Sequence, residues 1–337
     1  MASPRVSVLM SVYNGEKHLG EAIQSILNQT YSDFEFIIVD DGSTDSTRNI
    51  INSFDDKRIK LIINEKNIGW AKSLIKGIEY CQCEFIARMD ADDISLPQRF
   101  EKQIEYMDSN PEIGVIGTNV YAIGENSKPK YKIEYPQYHS FIKWSLIFSN
   151  PICHPSVMIR KSIVKNYGYF DDNIIRSEEY DYWSRIVNNV KFHNIQDFLL
   201  LLRISGNKVS ISLYSEQLQS AINICRRNLS YYIDSDIDEV IIKGFWTWKF
   251  ATIANAKKMI GAIIKANEKF LDENKLSEKE ITMIHHDTAR RILLIAVTKL
   301  YSPTMIINIL KTIKYDIFGI FRTLFWGIIA IINKYLK

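Results

Sequence analysis

The chain has 337 residues, a formal net charge of +3, 46% hydrophobic residues and 24% charged residues. This is the composition of one large or two ordinary globular domains, and it excludes a disordered or collagen-like protein. The four cysteines (Cys81, Cys83, Cys153 and Cys225) are too scattered for a disulfide scaffold and form no CxxC pair, so a structural zinc site is not expected.

The first half of the chain alternates between two periodicities. Polar Ser11 and Asn14 come too early for the apolar core of a signal peptide, so we expect the chain to stay in a reducing cytoplasm. Short apolar runs lie at residues 6–10, 34–40, 59–63 and 84–90, and segments of helical length and pattern lie between them, at 16–28, 44–54 and 69–80. This alternation predicts βαβ units around a mostly parallel sheet. Residues 41–43 predict a turn, with Ser43 or Thr44 capping the next helix.

The pattern changes twice further along the chain. Residues 113–123 predict another strand, and the polar, proline- and tyrosine-rich segment 128–137 predicts a loop over the sheet. After about Leu213 only helices are indicated, and we interpret the aromatic residues Trp246 and Trp248 there as helix packing. We therefore predict an α/β domain over residues 1–215 and a helical C-terminal region over residues 216–337.

The C-terminal tail is basic and apolar. Residues 285–337 contain eight Lys or Arg and two Asp, a net charge of +6, so residues 1–284 sum to −3. A basic tail on a mildly acidic body argues against general nucleic-acid binding. The apolar stretch 317–332 is interrupted by Arg322 and is shorter than the roughly 20 residues that span a bilayer. It predicts a helix in the membrane interface, hence a peripheral protein on the inner face of the plasma membrane; a buried helix or a dimer contact is the alternative.

A cluster of carboxylates directly follows a predicted strand. Asp90, Asp92 and Asp93 lie within four residues, and their mutual repulsion requires a compensating cation or full solvation. Alternating Asp residues suit one hard cation such as Mg²⁺ or Mn²⁺. A second acidic pair, Asp40 and Asp41, follows another strand, and ligands of such sheets bind at the carboxyl ends of the strands. No GxxxxGK[ST] or GxGxxG motif is present, which disfavours a P-loop NTPase or a dinucleotide dehydrogenase.

The sequence contains, in this order, the strings PRVSVLMSVYNGEKHLGEAIQSILNQTYSDFEFIIVDDGSTDST, NIGWAKSLIKGIEY, EFIARMDADDISLPQRFEKQIEYM, NPICHPSVMIRKSIVKNYGYFDD and SEEYDYWSRIV. Together, these strings resemble the family 2 glycosyltransferases with a GT-A fold. The resemblance covers about residues 4–213 and leaves the C-terminal third unmatched.

The resemblance implies a set of nucleotide-sugar-binding residues. Ser11 and Tyr13 resemble the positions that border the base, and Asp41, with Asp40 beside it, resembles the carboxylate that reads the uracil edge. The pair Asp90 and Asp92 resembles the DxD motif.

In the family, the DxD motif holds the ribose and the Mn²⁺ or Mg²⁺ that bridges the diphosphate. Asp93 extends this motif toward the donor sugar. For Arg88, a place near a phosphate and a salt bridge to one of these acids are both consistent with the sequence. Arg203 resembles a residue near the diphosphate, although Ser205 replaces the histidine that many relatives have two residues later.

The catalytic base departs from the family pattern. Inverting members use the Asp of a Glu-Asp pair ahead of an aromatic residue, and here the pair is Glu178-Glu179, so the resemblance implies Glu179 as the base, with Asp181 as the runner-up. On a helix, Glu178 and Asp181 share a face that Glu179 does not. His154 matches an acceptor-side position of the family, and a structural hydrogen bond is the alternative.

The resemblance therefore implies an inverting, metal-dependent transferase. It would move Glc, Gal or GlcNAc from a UDP-sugar, with a β-linkage, to a glycan on undecaprenyl diphosphate in O-antigen or capsule synthesis. Two alternatives remain open. A nucleotide-sugar-binding or scaffolding protein would explain the Glu-Glu departure. A sugar-nucleotide pyrophosphorylase would need a Gly- and Arg-rich loop after the first strand, which is absent here.

Overall fold

The computed structural model describes residues 4–171, 174, 176–204 and 211–298. The described residues of Met1–Ile142 and Asn150–Glu216 form one compact unit, and those of Lys143–Ser149 and Gln217–Lys337 form a second. The short segment Lys143–Ser149 therefore belongs to the same unit as the C-terminal helices. The predicted interfacial tail, residues 317–332, lies outside the described residues.

The first unit contains one mixed sheet. Among the described residues its strands are β1 (Val6–Val12), β2 (Phe34–Asp40), β3 (Ile59–Ile63), β4 (Phe85–Arg88), β5 (Ile94–Ser95), β6 (Ile113–Ile123), β7 (Pro129–Ile133), β8 (Met158–Arg160) and β9 (Lys191–Arg203). The order is β3-β2-β1-β4-β8-β6-β9-β5, with β7 paired to β6. Strands β3, β2, β1 and β4 are parallel, as are β6 and β9, while β8, β5 and β7 pair antiparallel. The predicted α/β fold with a mostly parallel sheet is confirmed.

Helices cover the sheet and build the second unit. They are α1 (Leu19–Leu27), α2 (Thr47–Asn52), α3 (Trp70–Tyr80), α4 (Arg99–Ser109), α5 (His139–Leu146), α6 (Lys161–Tyr167), α7 (Glu178–Ile186), α8 (Ile211–Ile233), α9 (Glu239–Thr247), α10 (Ile253–Glu273) and α11 (Glu278–Val297). Every residue of β1 and β2 is buried, as expected for parallel strands covered on both faces. Helix α1 buries Leu19, Ala22, Ile23 and Ile26, an i, i+3, i+4, i+7 stripe.

Two local predictions are wrong. The segment 128–137, predicted as a loop, contains β7, which pairs with the end of the long strand β6 and satisfies its backbone groups. Helix α2 begins at Thr47, so neither Ser43 nor Thr44 caps it. The Ser43 hydroxyl instead accepts a 3.0 Å hydrogen bond from the backbone N–H of Asn14, which ties together the loops that follow β1 and β2.

The second unit contains a buried polar network. The Asp287 carboxylate on α11 accepts hydrogen bonds from Trp144 Nε1 at 2.8 Å and from Arg291 Nε at 2.5 Å. The two arginines near it, Arg290 and Arg291, lower the pKa of Asp287 against the opposing effect of its burial. Helix α11 starts with a capping box formed by Ser277 and Glu280. In the part of the chain that the structure describes, no helix combines the length and apolar character needed to cross a bilayer.

Candidate active site

A cavity of about 620 Å³ opens at the carboxyl ends of β1, β2 and β4. Its volume lies in the range of roughly 300–1,000 Å³ that is usual for small-molecule sites. Six of the residues predicted from the sequence line it: Ser11, Tyr13, Asp41, Asp90, Asp92 and Arg203. The structure thus brings together side chains from three strand ends and from the last residue of β9.

Asp41 is held rigidly at the wall of this cavity. Its Oδ1 accepts hydrogen bonds of 2.9 Å from Asn64 Nδ2 and from the backbone N–H of Ile68, and its Oδ2 accepts one of 2.9 Å from the N–H of Gly69. Gly42 makes this arrangement accessible, because it has a φ of +76° and a Cβ there would lie 2.6 Å from the carbonyl carbon of Lys66. The loop after β3 therefore packs directly against the turn after β2.

Asp40 does not line the cavity. It is the last residue of β2 and is fully buried. Its Oδ1 accepts a 2.9 Å hydrogen bond from the N–H of Ser43, and its Oδ2 forms an ion pair with Arg48. Of the two adjacent carboxylates that the sequence singles out, only Asp41 faces the cavity, and Asp40 stabilises the turn and the start of α2.

Arg88 and Asp90 form an ion pair at the end of β4. Arg88 is buried, and its Nη1 donates to the carbonyl oxygens of Leu9 and Met89 at 2.8 and 2.9 Å. The guanidinium also lies 5.7 Å from the ring centroid of Trp70. Of the two placements that the sequence allows for Arg88, the salt bridge to an acid of the cluster is the one that the structure contains.

Arg203 clamps the backbone of the acidic loop. Its Nε donates to the carbonyl oxygen of Asp92 at 2.6 Å, and its own N–H donates to Asp93 Oδ1 at 2.7 Å. The remaining guanidinium donors are used by Gly124 O at 2.9 Å and Glu21 Oε2 at 2.8 Å. Arg203 lines the cavity, but its donors already have protein acceptors.

Of the three carboxylates in the acidic loop, that of Asp92 is exposed and that of Asp93 is buried. Asp92 faces the cavity, where partial loss of water and the negative charge of Asp90 raise its pKa. Asp93 is 2% exposed, and its pKa is raised well above the usual range by burial and by the charges of Asp90 and Asp92. Asp90 and Asp92 therefore both face the cavity, and a bound cation would relieve the repulsion between their negative charges.

The cavity fits a divalent ion that is held through few protein ligands. Within the described residues, no group of three or more His, Cys, Asp or Glu side chains is arranged as a metal site. Mg²⁺ is commonly bound through one or two carboxylates, with water and substrate phosphates completing its coordination. Asp90 and Asp92 supply two such carboxylates, so a cation here would depend on a phosphorylated ligand for its remaining contacts.

Glu179 and Asp181 on α7 lie in different environments. Asp181 is 1% exposed, and its Oδ2 accepts a 2.6 Å hydrogen bond from Arg185 Nε. Glu179 is half-buried, and its pKa is raised to about 7 by burial and by the negative charges of Glu178 and Asp90, against the opposing charge of Arg88. Glu179 therefore lies within electrostatic reach of the Arg88–Asp90 pair.

His154 is buried among aromatic rings. Its Nε2 lies 2.9 Å from the hydroxyl of Tyr169, and its ring contacts Trp70 edge-on at 5.4 Å between centroids. Burial, together with the charge of Arg88, holds the pKa of His154 well below its usual value, so the ring is neutral. His154 does not line the cavity, and Trp70, which does, stacks on Phe170 at 5.3 Å.

Sequence reasoning missed several residues of the cavity wall. Lys17 and His18 follow the polar cluster after β1, and both pair with Glu125, at the tip between β6 and β7. Asn67 and Trp70 lie at the loop that binds Asp41. The position of this loop after β3 was the available signal for the second pair, whereas Glu125 is more than 100 residues from Lys17 and no local pattern connects them.

Comparison with known sequences gives a consistent assignment. The model of glycosyl transferase family 2 matches residues 7–168. An uncharacterized glycosyltransferase of Methanocaldococcus jannaschii is 41% identical over 224 residues, which cover 64% of this chain and 77% of that protein. The O-antigen biosynthesis glycosyltransferase WbnJ of Escherichia coli is 37% identical over 220 residues, which cover 62% of this chain and 84% of that protein.

One of the solved structures that are similar to this chain illustrates the shared fold. The crystal structure of S. aureus TarS 1–349 in complex with UDP-GlcNAc is similar to this chain with a TM-score of 0.56 and 16% sequence identity, covering 91% of this chain and 90% of that one. Since the similarity to relatives extends over more than three quarters of their length, the chain belongs to glycosyl transferase family 2.

Proposed function

We propose that this protein is an inverting, divalent-metal-dependent hexosyltransferase. It moves Glc, Gal or GlcNAc from a UDP-sugar to a glycan carried on undecaprenyl diphosphate, forming a β-linkage in the synthesis of a bacterial surface polysaccharide. The names of two similar proteins support this proposal: WbnJ is an O-antigen biosynthesis glycosyltransferase, and TarS is described in complex with UDP-GlcNAc. We place the reaction at the inner face of the plasma membrane, where such an acceptor is presented.

The cavity that joins Asp41, Asp90 and Asp92 is the observation that carries the proposal. Asp41, with both oxygens fixed by backbone and amide donors, is a rigid acceptor for the base of the donor, which lies beside Ser11 and Tyr13. Asp90 and Asp92 would hold the ribose and the divalent cation. When bound, Mn²⁺ or Mg²⁺ supplies positive charge to the departing diphosphate.

Glu179 is the general base in this proposal. Its carboxylate takes the proton from the acceptor hydroxyl while that oxygen attacks the anomeric carbon from the face opposite the diphosphate. The bond between the anomeric carbon and the β-phosphate oxygen breaks, and its electron pair leaves with UDP. A pKa of about 7 supports this assignment, because a base whose pKa is near the working pH combines a usable deprotonated fraction with driving force.

A UDP-release assay on the full chain tests the proposal. UDP-Glc, UDP-Gal and UDP-GlcNAc are each supplied with Mn²⁺ or with chelator, with and without a synthetic GlcNAc- or GalNAc-diphosphate-lipid. We expect metal-dependent release that requires the lipid acceptor. If a UDP-sugar binds but neither this acceptor nor a longer lipid-linked oligosaccharide yields release, the protein is a nucleotide-sugar-binding protein and the proposal is wrong.

Peripheral membrane association is a separate part of the proposal. Deleting residues 317–337 should reduce the fraction of the protein that sediments with membranes, because this stretch holds the apolar run and three basic residues of the tail, Arg322, Lys334 and Lys337. Full retention of the truncated protein on membranes would assign a structural role to the tail.

A further inference from the structure

The segment 240–267, which runs from α9 into α10, carries an unbalanced positive charge. Residues 240–267 contain no Asp or Glu and five lysines: Lys243, Lys249, Lys257, Lys258 and Lys265. Acids flank the segment on both sides, in the run from Asp234 to Glu239 before it and at Glu268, Asp272 and Glu273 after it. A net charge of +5 over 28 residues contrasts with a total of −3 for residues 1–284.

Large apolar side chains are exposed within this basic segment. Val240 is 51% exposed, Trp248 is 42% exposed and Ile253 is 41% exposed. The Trp248 ring also packs against Phe245 of α9, with 5.5 Å between ring centroids, as the interpretation of helix packing expects, and the rest of its surface is exposed. We define the α9–α10 patch as Val240, Trp248 and Ile253 together with the lysines beside them, namely Lys243, Lys249, Lys257 and Lys258.

The corner between the two helices is well fixed. Trp248 ends α9 in the left-handed backbone conformation, with a φ of 55°, and the N–H of Lys249 donates to the carbonyl oxygen of Gly244 at 3.0 Å. Phe250 is 4% exposed and packs against Gly244. At this turn Phe250 is buried, whereas the Trp248 ring contacts Phe245 and leaves 42% of the residue exposed.

The lysines of the patch have no acidic partners within the described residues, and the structure contains no ion pair for any of the four. Elsewhere in the same unit, Lys269 lies 2.5 Å from Asp234, and Arg226 pairs with Asp236. The patch therefore presents uncompensated charge around an indole ring and two aliphatic side chains.

We infer that the α9–α10 patch docks on the surface of an anionic lipid bilayer, with the Trp248 ring at the level of the headgroups. Tryptophan and lysine both have an apolar body and a polar end, which suits the boundary between headgroups and acyl chains. The segment 240–267 contains no arginine, whereas protein interfaces are enriched in arginine and depleted in lysine. Diffuse attraction between lysines and anionic headgroups fits this composition.

The α9–α10 patch would give the chain a contact with the bilayer that is independent of the tail. The inference rests on the proposed function only for the reason why the chain would dock, which is to bring it to a lipid-linked acceptor. Its test uses lipid alone, without donor or acceptor, so its failure and that of the proposed transfer reaction are distinguishable.

The first test is vesicle co-sedimentation of the full chain. Vesicles of phosphatidylcholine are compared with vesicles that also contain phosphatidylglycerol. Each lysine near an anionic surface is worth a factor of about five in partition, so Lys249→Gln with Lys257→Gln should weaken binding to the anionic vesicles about 25-fold. The matched control is Lys275→Gln, an exposed lysine outside the segment, with no change expected. Equal losses in both variants, or no loss in either, would overturn the inference.

A second test reports on the patch whatever the tail contributes. Cys81, Cys83, Cys153 and Cys225 are all buried, and burial raises the pKa of each thiol, so an environment-sensitive thiol label reacts selectively at an introduced exposed cysteine. Label attached through Trp248→Cys should shift to a less polar emission with the anionic vesicles. Label attached through Tyr231→Cys, a 58% exposed position outside the patch, should not. An unchanged spectrum at position 248 while the protein sediments would overturn the inference.

Discussion

Asp181 and Arg185, one turn apart on α7, form an ion pair with an Nε–Oδ2 distance of 2.6 Å, and Asp181 is almost fully buried. Arg185 also donates to the carbonyl oxygen of Tyr169 at 2.7 Å, so the pair ties α7 to the aromatic cluster around His154. We expect Asp181→Asn to lower the free energy of unfolding by about 1–3 kcal/mol, because it weakens a buried, charge-assisted hydrogen bond. Urea unfolding measures this. Loss of transfer activity in a variant of unchanged stability would make Asp181 the base.

Replacement of Glu179, unlike that of Asp181, should affect the rate of transfer. If its carboxylate is the general base, Glu179→Gln lowers kcat by about 10²–10⁴-fold and leaves the Kd for UDP unchanged, since the amide keeps the shape but cannot take the proton. Single-turnover transfer and calorimetric titration with UDP measure the two quantities. Glu178→Gln, the adjacent residue on the same helix, is the matched control and should retain most of the rate. Equal loss in both variants would contradict the assignment.

The rate of transfer should depend on pH through Glu179. Its pKa is raised to about 7, so the reactive, deprotonated form is lost as the pH falls through this value, and kcat should fall on the acid side. Glu178 is one cause of the elevation. Removing its charge by Glu178→Gln favours deprotonation of Glu179 and should move the acid limb of the kcat profile to lower pH. An acid limb that stays in place would contradict the coupling.

Asp92 should be required for binding of the metal–nucleotide complex. It is the exposed member of the acidic loop, and Asp92→Asn removes one of the two carboxylates offered to a cation. We expect the Mn²⁺-dependent increase in UDP affinity to disappear. Asp197→Asn is the control, because Asp197 is also exposed but pairs with Lys102 away from the cavity. Undiminished metal dependence in Asp92→Asn would remove this residue from the site.

Arg203 should be essential for the geometry of the acidic loop. Arg203→Lys loses the planar set of donors that spans Asp92 O, Gly124 O and Glu21, and it leaves the carbonyl oxygen of the buried Gly124 without its partner. We expect a loss of about 1–3 kcal/mol in the free energy of unfolding, measured by denaturant titration, together with weaker UDP binding. A stable variant with normal UDP affinity would show that the clamp is dispensable.

The location of the site could be predicted from the sequence, because apolar runs define where parallel strands end. Ser11, Asp41 and Asp90 all follow from that rule, and all three line the cavity. The separation of Asp40 from Asp41 could not be predicted, since it depends on the hydrogen bond from the Asp41 N–H to Val12 O and on the ion pair with Arg48.

Long-range contacts account for the remaining differences. Arg203, predicted to lie near the diphosphate, lines the cavity, and its donors are used by residues between 76 and 182 positions away along the chain. No local pattern carries such pairings. The same holds for His154, whose burial results from rings contributed by Trp70 and Trp183.

The membership of Lys143–Ser149 in the second unit has a consequence for protein engineering. An expression fragment that stops near residue 216 would retain Trp144 and Phe148 but lack Phe270, which packs on Trp144, and Phe245, which packs on Phe148. Trp144 Nε1 would also lose its acceptor, Asp287. We expect such a fragment to expose two large aromatic side chains and to aggregate. A truncated protein that stays in solution should either keep α8–α11 or have both aromatic residues replaced by polar ones.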